Sequence, residues 1–245
     1  MRNRVRNSII LSIALCFITT ACNRSFSKSV ALGKDCYAIP SEHLLNYSFK
    51  YEIPYGLEAD RSVASIHAIF PSSYVESKVP EYSPTYQGYR GLVDAELTVI
   101  ISSLSPDNIE YIHSGKHYEH LWIGTGSYSE EGLGQRVLWD EEVKLYRIYH
   151  KEVSGSWVFT RLDPQDVNII PPTSAVVGGC SDERHLGLQH YNCLHKELRD
   201  TILIDYSLPE ENFLFFQEID DFVYAELESW KVGSIAEIGC LSDNI

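Results

Sequence analysis

An α+β fold built mainly from antiparallel strands, with one amphipathic helix packed on the sheet near the C-terminus, is what this sequence predicts. Three observations lead there. Short runs rich in Val, Ile, Tyr and Phe recur from residue 62 to residue 161, punctuated by Gly, Pro, Asn and Asp. No regular strand-helix alternation, the mark of a parallel sheet, accompanies them. Apolar residues at helical spacing then run from Phe215 to Trp230.

The strand-like runs are Ser62 to Phe70, Ala95 to Leu104, Tyr118 to Ile123, Arg136 to Trp139, Val143 to His150 and Trp157 to Arg161. Turn-forming residues separate them at Ser105-Pro106-Asp107-Asn108, Gly124-Thr125-Gly126-Ser127, Ser154-Gly155-Ser156 and Pro171-Pro172. Pro71 to Gly91, full of Pro, Ser and Tyr, reads as a long loop, either a binding loop or an excursion that its tyrosines pin down. Its Tyr74, Tyr82, Tyr86 and Tyr89 are the candidate partner-binding residues, because exposed aromatic side chains anchor protein interfaces. Thr201 to Tyr206 reads as a last strand. Ser207-Leu208-Pro209-Glu210 then fits a capping box, and Phe215, Ile219, Phe222, Val223, Leu227 and Trp230 form the apolar stripe of the closing helix, with Gly233 just beyond it.

The N-terminus carries an address. Arg2, Arg4 and Arg6 form a positive segment, and Ser8 to Ile18 is uncharged and apolar, the layout of a secretory signal. Eleven residues at ~1.5 Å each fall well short of a ~30 Å hydrocarbon core, so the segment is expected to be cleaved rather than kept as a membrane span. Small residues Thr19, Thr20 and Ala21 then precede Cys22. Ile18-Thr19-Thr20-Ala21-Cys22 resembles a lipobox, the site where bacterial lipoproteins are acylated on cysteine. It departs from the family at Thr19, where an aliphatic residue is usual. The resemblance implies a lipid on Cys22, and Asn23 after it implies sorting to the outer membrane, facing the periplasm. The expected organisation is a signal over residues 1–21, a lipidated tether over 22–35 and a folded domain over 36–245, in one lobe or two.

Cleavage leaves 224 of the 245 residues, a length that suits one large domain or two small ones. Arg2, Arg4 and Arg6 leave with the signal, which lowers 20 basic residues to 17 against 34 acidic ones. So acidic a chain lacks the positive surface that nucleic acid requires. Its charge either serves solubility or attracts a protein partner with a basic face.

Four cysteines remain in the folded part: Cys36, Cys180, Cys193 and Cys240. In an oxidising compartment they suggest two disulfides. Sequence allows three pairings; Cys180 with Cys193, flanking a short polar loop, and Cys36 with Cys240, tying the ends, are preferred.

Histidines form two clusters. His113, His117 and His120 could offer imidazoles to Zn²⁺ or Cu²⁺, but their spacing matches no zinc signature and His-Glu-x-x-His is absent. Cys180, His185, His190 and Cys193, with His195 just outside, could form a zinc loop, against which oxidation of the thiols competes. Gly126-Ser127-Tyr128-Ser129 lacks the second glycine of a nucleophile elbow. The acidic pairs Glu130-Glu131, Glu141-Glu142 and Asp220-Asp221 read as solvated surface charge, and no phosphate-binding glycine loop is present. No catalytic set assembles and no cofactor is implied, so a non-enzymatic binding role is expected.

Cys36-Tyr37-Ala38-Ile39-Pro40, together with Ile204-Asp205-Tyr206 through Ile219-Asp220-Asp221-Phe222 to Trp230-Lys231, resembles immunity lipoproteins that guard bacteria against type VI secretion effectors. The resemblance covers the two ends of the folded part. It implies a periplasmic protein that blocks a toxin stoichiometrically, without cofactor or turnover. The alternatives are an accessory lipoprotein that binds another envelope component, and a hydrolase or metal-binding protein that uses the histidines.

Overall fold

A computed structural model of the chain describes residues 26–45, 65–88, 91–123, 136–149, 155–166, 170–182 and 191–235. The fold is α+β, with an antiparallel sheet of eight strands at its centre. In chain order the strands of this sheet are β3 (Ser65–Phe70), β6 (Leu97–Ser103), β7 (Arg136–Asp140), β8 (Leu145–Tyr149), β9 (Trp157–Thr160), β10 (Val176–Asp182), β11 (Tyr191–Arg199) and β12 (Ile202–Pro209). Their spatial order is β3-β6-β12-β11-β10-β9-β8-β7. A smaller sheet joins β1 (Phe26–Leu32), β2 (Asp35–Pro40) and β13 (Lys231–Ser234), and β4 (Thr85–Gly88) with β5 (Gly91–Asp94) forms a separate hairpin.

Alternation explains which face is buried. Ile66, Ala68 and Phe70 of β3 stand opposite Ile101, Val99 and Leu97 of β6, and Val99 and Ile101 in turn face Tyr206 and Ile204 of β12. With a side-chain period of two, this register sends all of them to one side. They join Val177, Cys193, Trp157 and Phe159 in one core. The closing helix, α5 (Phe216–Trp230), covers that core with Phe216, Ile219, Phe222, Val223, Leu227 and Trp230, all buried. It meets Phe70 and Tyr74, where Phe222 lies edge-on to Phe70 at 5.0 Å between ring centroids and Trp230, at the helix end, stacks on Phe70 at 5.8 Å. Among the described residues no helix is long and apolar enough to cross a membrane.

Four local expectations are corrected. Tyr118 to Ile123 is not a strand but a 3-10 turn, Lys116–Tyr118, running into a helix, Glu119–Trp122. Leu121 and Trp122 are adjacent, yet both are buried against Ile148, Ala175 and Val176; a strand would have sent them to opposite faces. Pro71 to Gly91 is no long loop. It holds α1 (Ser72–Lys78), whose Val75, one turn before Val79, is buried with it, and then β4. Ser105-Pro106 opens α2 (Pro106–His113), with the Ser105 hydroxyl accepting from Asn108 N and Pro106 in the first turn. Ser207 caps nothing: it lies in β12 and its hydroxyl donates to Asn192 Oδ1 at 3.0 Å. Pro209 ends the strand and precedes a short helix, α4 (Glu210–Phe213); α3 denotes Glu119–Trp122.

The segment expected as a tether is a strand from Phe26 onward. Residues 26–32 pair with β2, Leu32 is buried, and Gly33 makes the turn at φ +62°. The ends of the folded part are joined by backbone, because β13 pairs with β2 and sets Gly233 opposite Cys36.

Candidate functional site

Three places hold the side chains that bear on function: a groove on the open face of the large sheet, a buried histidine cluster beneath α5, and the β4–β5 hairpin.

The groove has a volume of about 700 Å³. Its floor is the face of β10, β11 and β12 turned away from α5, with Leu194, Leu198, Asn192, Lys196, Leu203 and Ser207, and its wall is the arm from α2 to α3. Gly115 allows that arm to sit close: at φ +69° it is left-handed, and a Cβ there would lie 1.8 Å from Pro171 O. The wall brings His113, His117 and His120 to the groove. Burial is the main cause of a lowered His117 pKa, and the neighbouring His120 and Lys196 add to it. Lys196 stands directly across from Asp205 and pairs with it at 2.5 Å.

The three histidines share the groove without converging. Among the described residues, ligand atoms of three or more metal-binding side chains lie within 4.8 Å of one another only at His195, Glu197 and Asp220. His195 is fully buried in β11 and Asp220 is 3% exposed in α5. The ring Nδ1 of His195 lies 2.6 Å from Val177 O, and Nε2 lies 3.0 Å from Asp220 Oδ2. The Tyr206 hydroxyl is 3.0 Å from Asp220 Oδ1 and 3.0 Å from Phe216 O. Phe216, Phe213 and Tyr206 surround the imidazole. Glu197 is half-buried beside them, its pKa raised first by burial and then by Asp220. A cation could in principle meet these three ligands, but hydrogen bonds already occupy both ring nitrogens and both Asp220 oxygens. The cluster therefore ties α5 to the sheet, and Glu197, its half-buried member, also lines the groove.

Asp220-Asp221 is thus no pair of solvated acids. Asp221 is exposed and meets Arg199 at 2.7 Å, while Asp220 points into the core. The sequence held a sign of this, since Asp220 lies on the apolar stripe one turn after Phe216 and one before Tyr224. A carboxylate in such a stripe needs a buried partner. His195 and Glu197, two apart on β11, were the matching sign.

The hairpin is fixed at its base and exposed along β5. Tyr82 is 2% exposed and its hydroxyl donates to Ala95 O at 2.5 Å. Asn212 of α4 accepts from Ser83 N at 2.7 Å and donates to Ser83 O at 2.9 Å. Beyond this base Leu92 is 74% and Val93 39% exposed. Exposed Glu81 and Glu96 flank the two strands in sequence, and exposed Asp94 is the last residue of β5.

Of the four candidate tyrosines, Tyr82 serves the fold and is too buried to anchor a partner. Tyr74 is partly buried, and its hydroxyl donates to Glu226 Oε1 at 2.8 Å. Burial and that carboxylate raise its pKa to about 12. Tyr86 is partly buried on the hairpin, opposite Val93. Tyr89 falls outside the described residues, as do Cys22, Cys240, His185 and His190. The Cys180–Cys193 disulfide is present, joining directly opposed residues of β10 and β11. Cys36 is buried, with a thiol unpaired among the described residues. Leu92 and Val93 were not singled out in the sequence, because a short apolar pair in a strand looks the same whether it packs or projects.

No protein-family model and no curated protein matches the sequence. Among solved structures, the chain is similar to an immunity protein of the Stenotrophomonas maltophilia type IV secretion system. The TM-score is 0.45 and the identity 10%, over 83% of this chain and 92% of that one. A likeness of that size carries no inference about what this chain does.

Proposed function

We propose that this protein is an exported, envelope-anchored immunity protein that neutralises a secreted antibacterial toxin by stoichiometric binding. The β4–β5 hairpin carries this reading. Its Leu92, 74% exposed, projects from β5 on the same face as the exposed Asp94 two residues on, an apolar centre beside a charged rim, which is the make-up of a protein interface. The Tyr82 and Asn212 hydrogen bonds hold the base, so Leu92 is offered on a tethered strand and little ordering is needed on binding. A chain with 34 acidic and 20 basic residues favours encounter with a basic partner face and raises the association rate more than the affinity. The Arg2, Arg4 and Arg6 segment, the apolar run to Ile18 and Cys22 support the anchored, periplasmic address.

Capture from envelope extract with the soluble domain beginning at Asn23, followed by titration calorimetry and association kinetics of the retained protein, tests the reading. The expected result is a one-to-one complex whose association slows as salt rises, because the Debye length falls from ~10 Å at 0.1 M to ~3 Å at 1 M. The intact mass of the native mature chain should show Cys22 diacylated. Hydrolysis of an envelope substrate with no protein retained would overturn the binding role, and an unmodified Cys22 would overturn the anchor.

A further inference from the structure

The eight-stranded sheet ends on β7, which pairs with β8 alone among the described residues. An end strand turns one row of backbone N–H and C=O groups outward, a template that a further strand can extend. The strand reads Arg136-Val137-Leu138-Trp139-Asp140 and has no proline to blunt that edge. Leu138 is 38% and Trp139 44% exposed, and neighbours on a strand point to opposite faces. Each face of the sheet therefore shows a large apolar side chain at its end. The Trp139 ring rests against Tyr146 of β8 with centroids 4.9 Å apart, and Trp is among the residues that most often anchor protein contacts.

The order of residues along β7 says what fits beside it. When two copies run antiparallel with Leu138 facing Leu138, Val137 falls opposite Trp139 and Arg136 opposite Asp140, each twice. All of these are favourable cross-strand pairs: aliphatic with aliphatic, β-branched with aromatic, cation with anion. Moving the two-fold axis to Trp139 would set Leu138 against Asp140, and moving it to Val137 would set Leu138 against Arg136. Asp140 accepts from Arg147 through Oδ2 and from Glu142 N and Val143 N through Oδ1. A carboxylate offers about four acceptor sites, so one on Oδ2 is left for a second copy. Charges on an edge strand usually discourage pairing; here their opposite signs, placed symmetrically about Leu138, select a copy of the same strand.

We propose that two copies of this chain associate edge to edge through β7, antiparallel about Leu138, so that their two large sheets become continuous. A five-residue edge buries less than the ~1,000 Å² of a stable interface, so the dimer forms only at high concentration. The β4–β5 hairpin takes no part in it, and toxin capture and self-association can succeed or fail independently.

Sedimentation equilibrium of the chain from Asn23 onward, which keeps every described strand, tests the proposal from dilute to near-millimolar solution. The average mass should rise from one chain toward two. Because the two-fold axis passes between the two copies of residue 138, a charge placed there meets itself. Leu138→Lys and Leu138→Glu should therefore each weaken self-association at least about tenfold, whereas an equimolar mixture of the two variants should associate at least as tightly as the unaltered chain. Leu92→Asp should leave the equilibrium unchanged. If either charged variant fails to fold, Leu138→Cys carries the test: a short bismaleimide should join residue 138 to residue 138 of a second copy. A monomer at every concentration, self-association untouched by either charge, a mixture of folded variants that stays monomeric, or no link at residue 138 would overturn the interface.

Discussion

The His195 ring on β11 and the Asp220 carboxylate on α5 meet across 3.0 Å in the middle of the core. The Val177 carbonyl, 2.6 Å from Nδ1, can only accept, so Nδ1 carries a hydrogen. The sheet and the closing helix are joined here by a short polar link that the surrounding aromatic rings shield from water.

Removing one partner strands the other. Asp220→Ala should therefore cost about 1–3 kcal/mol of unfolding free energy, the usual cost of leaving a buried hydrogen-bonding group unsatisfied. Asp221→Ala, next in sequence but exposed beside Arg199, should stay within about 0.5 kcal/mol. Urea unfolding of both variants checks the contrast, and equal costs would contradict it.

The Cys180–Cys193 bridge closes 13 residues of sequence. A loop of that size restricts the unfolded chain by about 3 kcal/mol, so a Cys180→Ala/Cys193→Ala variant should lose an amount of that order. Alkylation under denaturing, non-reducing conditions, with peptide mapping, should leave both cysteines unlabelled. Labelling at either would refute the bridge. The same map decides whether Cys36 pairs with Cys240, as the sequence suggested.

Tyrosine ionisation gives a pH test. Burial raises the pKa of Tyr37, Tyr74, Tyr82, Tyr206 and Tyr224, to about 12 at Tyr74. Each folded-state value lies above the unfolded value near 10, so the folded chain holds protons that the unfolded chain releases. The contribution is fully present below pH 10 and is lost as pH rises toward 12 and beyond. Stability should fall through that window, and absorbance near 295 nm should show a late phase of tyrosinate appearing together with unfolding. Ionisation of all 16 tyrosines near pH 10, with the fold intact, would contradict this.

Most of the sheet was legible because its strands alternate. Ser65–Phe70 and Leu97–Ser103 place an apolar residue at every second position, and the closing helix repeats its apolar residues at helical spacing. Tyr118–Trp122 misled because β-forming residue types outweighed the context: Gly115 turns the chain, and Leu121 and Trp122 are buried side by side. Ser207 and Glu210 satisfied a capping pattern at a spacing that β12 already used for a cross-strand hydrogen bond. In the tyrosine-rich segment the buried Tyr82 and the exposed Leu92 exchange the roles that residue type alone suggests. Burial depends on what α4 and β6 bring to the segment, which is information carried more than 100 residues away at Asn212.

The central claim is that the protein binds its partner through the β5 strand of the hairpin. Leu92→Asp and Val93→Asp, titrated against the captured protein, test it most directly. Leu92 is 74% exposed, so its substitution should leave the unfolding midpoint unchanged while weakening the complex by roughly 30-fold, the effect of a hot-spot residue worth about 2 kcal/mol. Ile123→Asp, at the end of α3 and 55% exposed, should leave affinity unaltered. Full affinity in both hairpin variants would contradict the account.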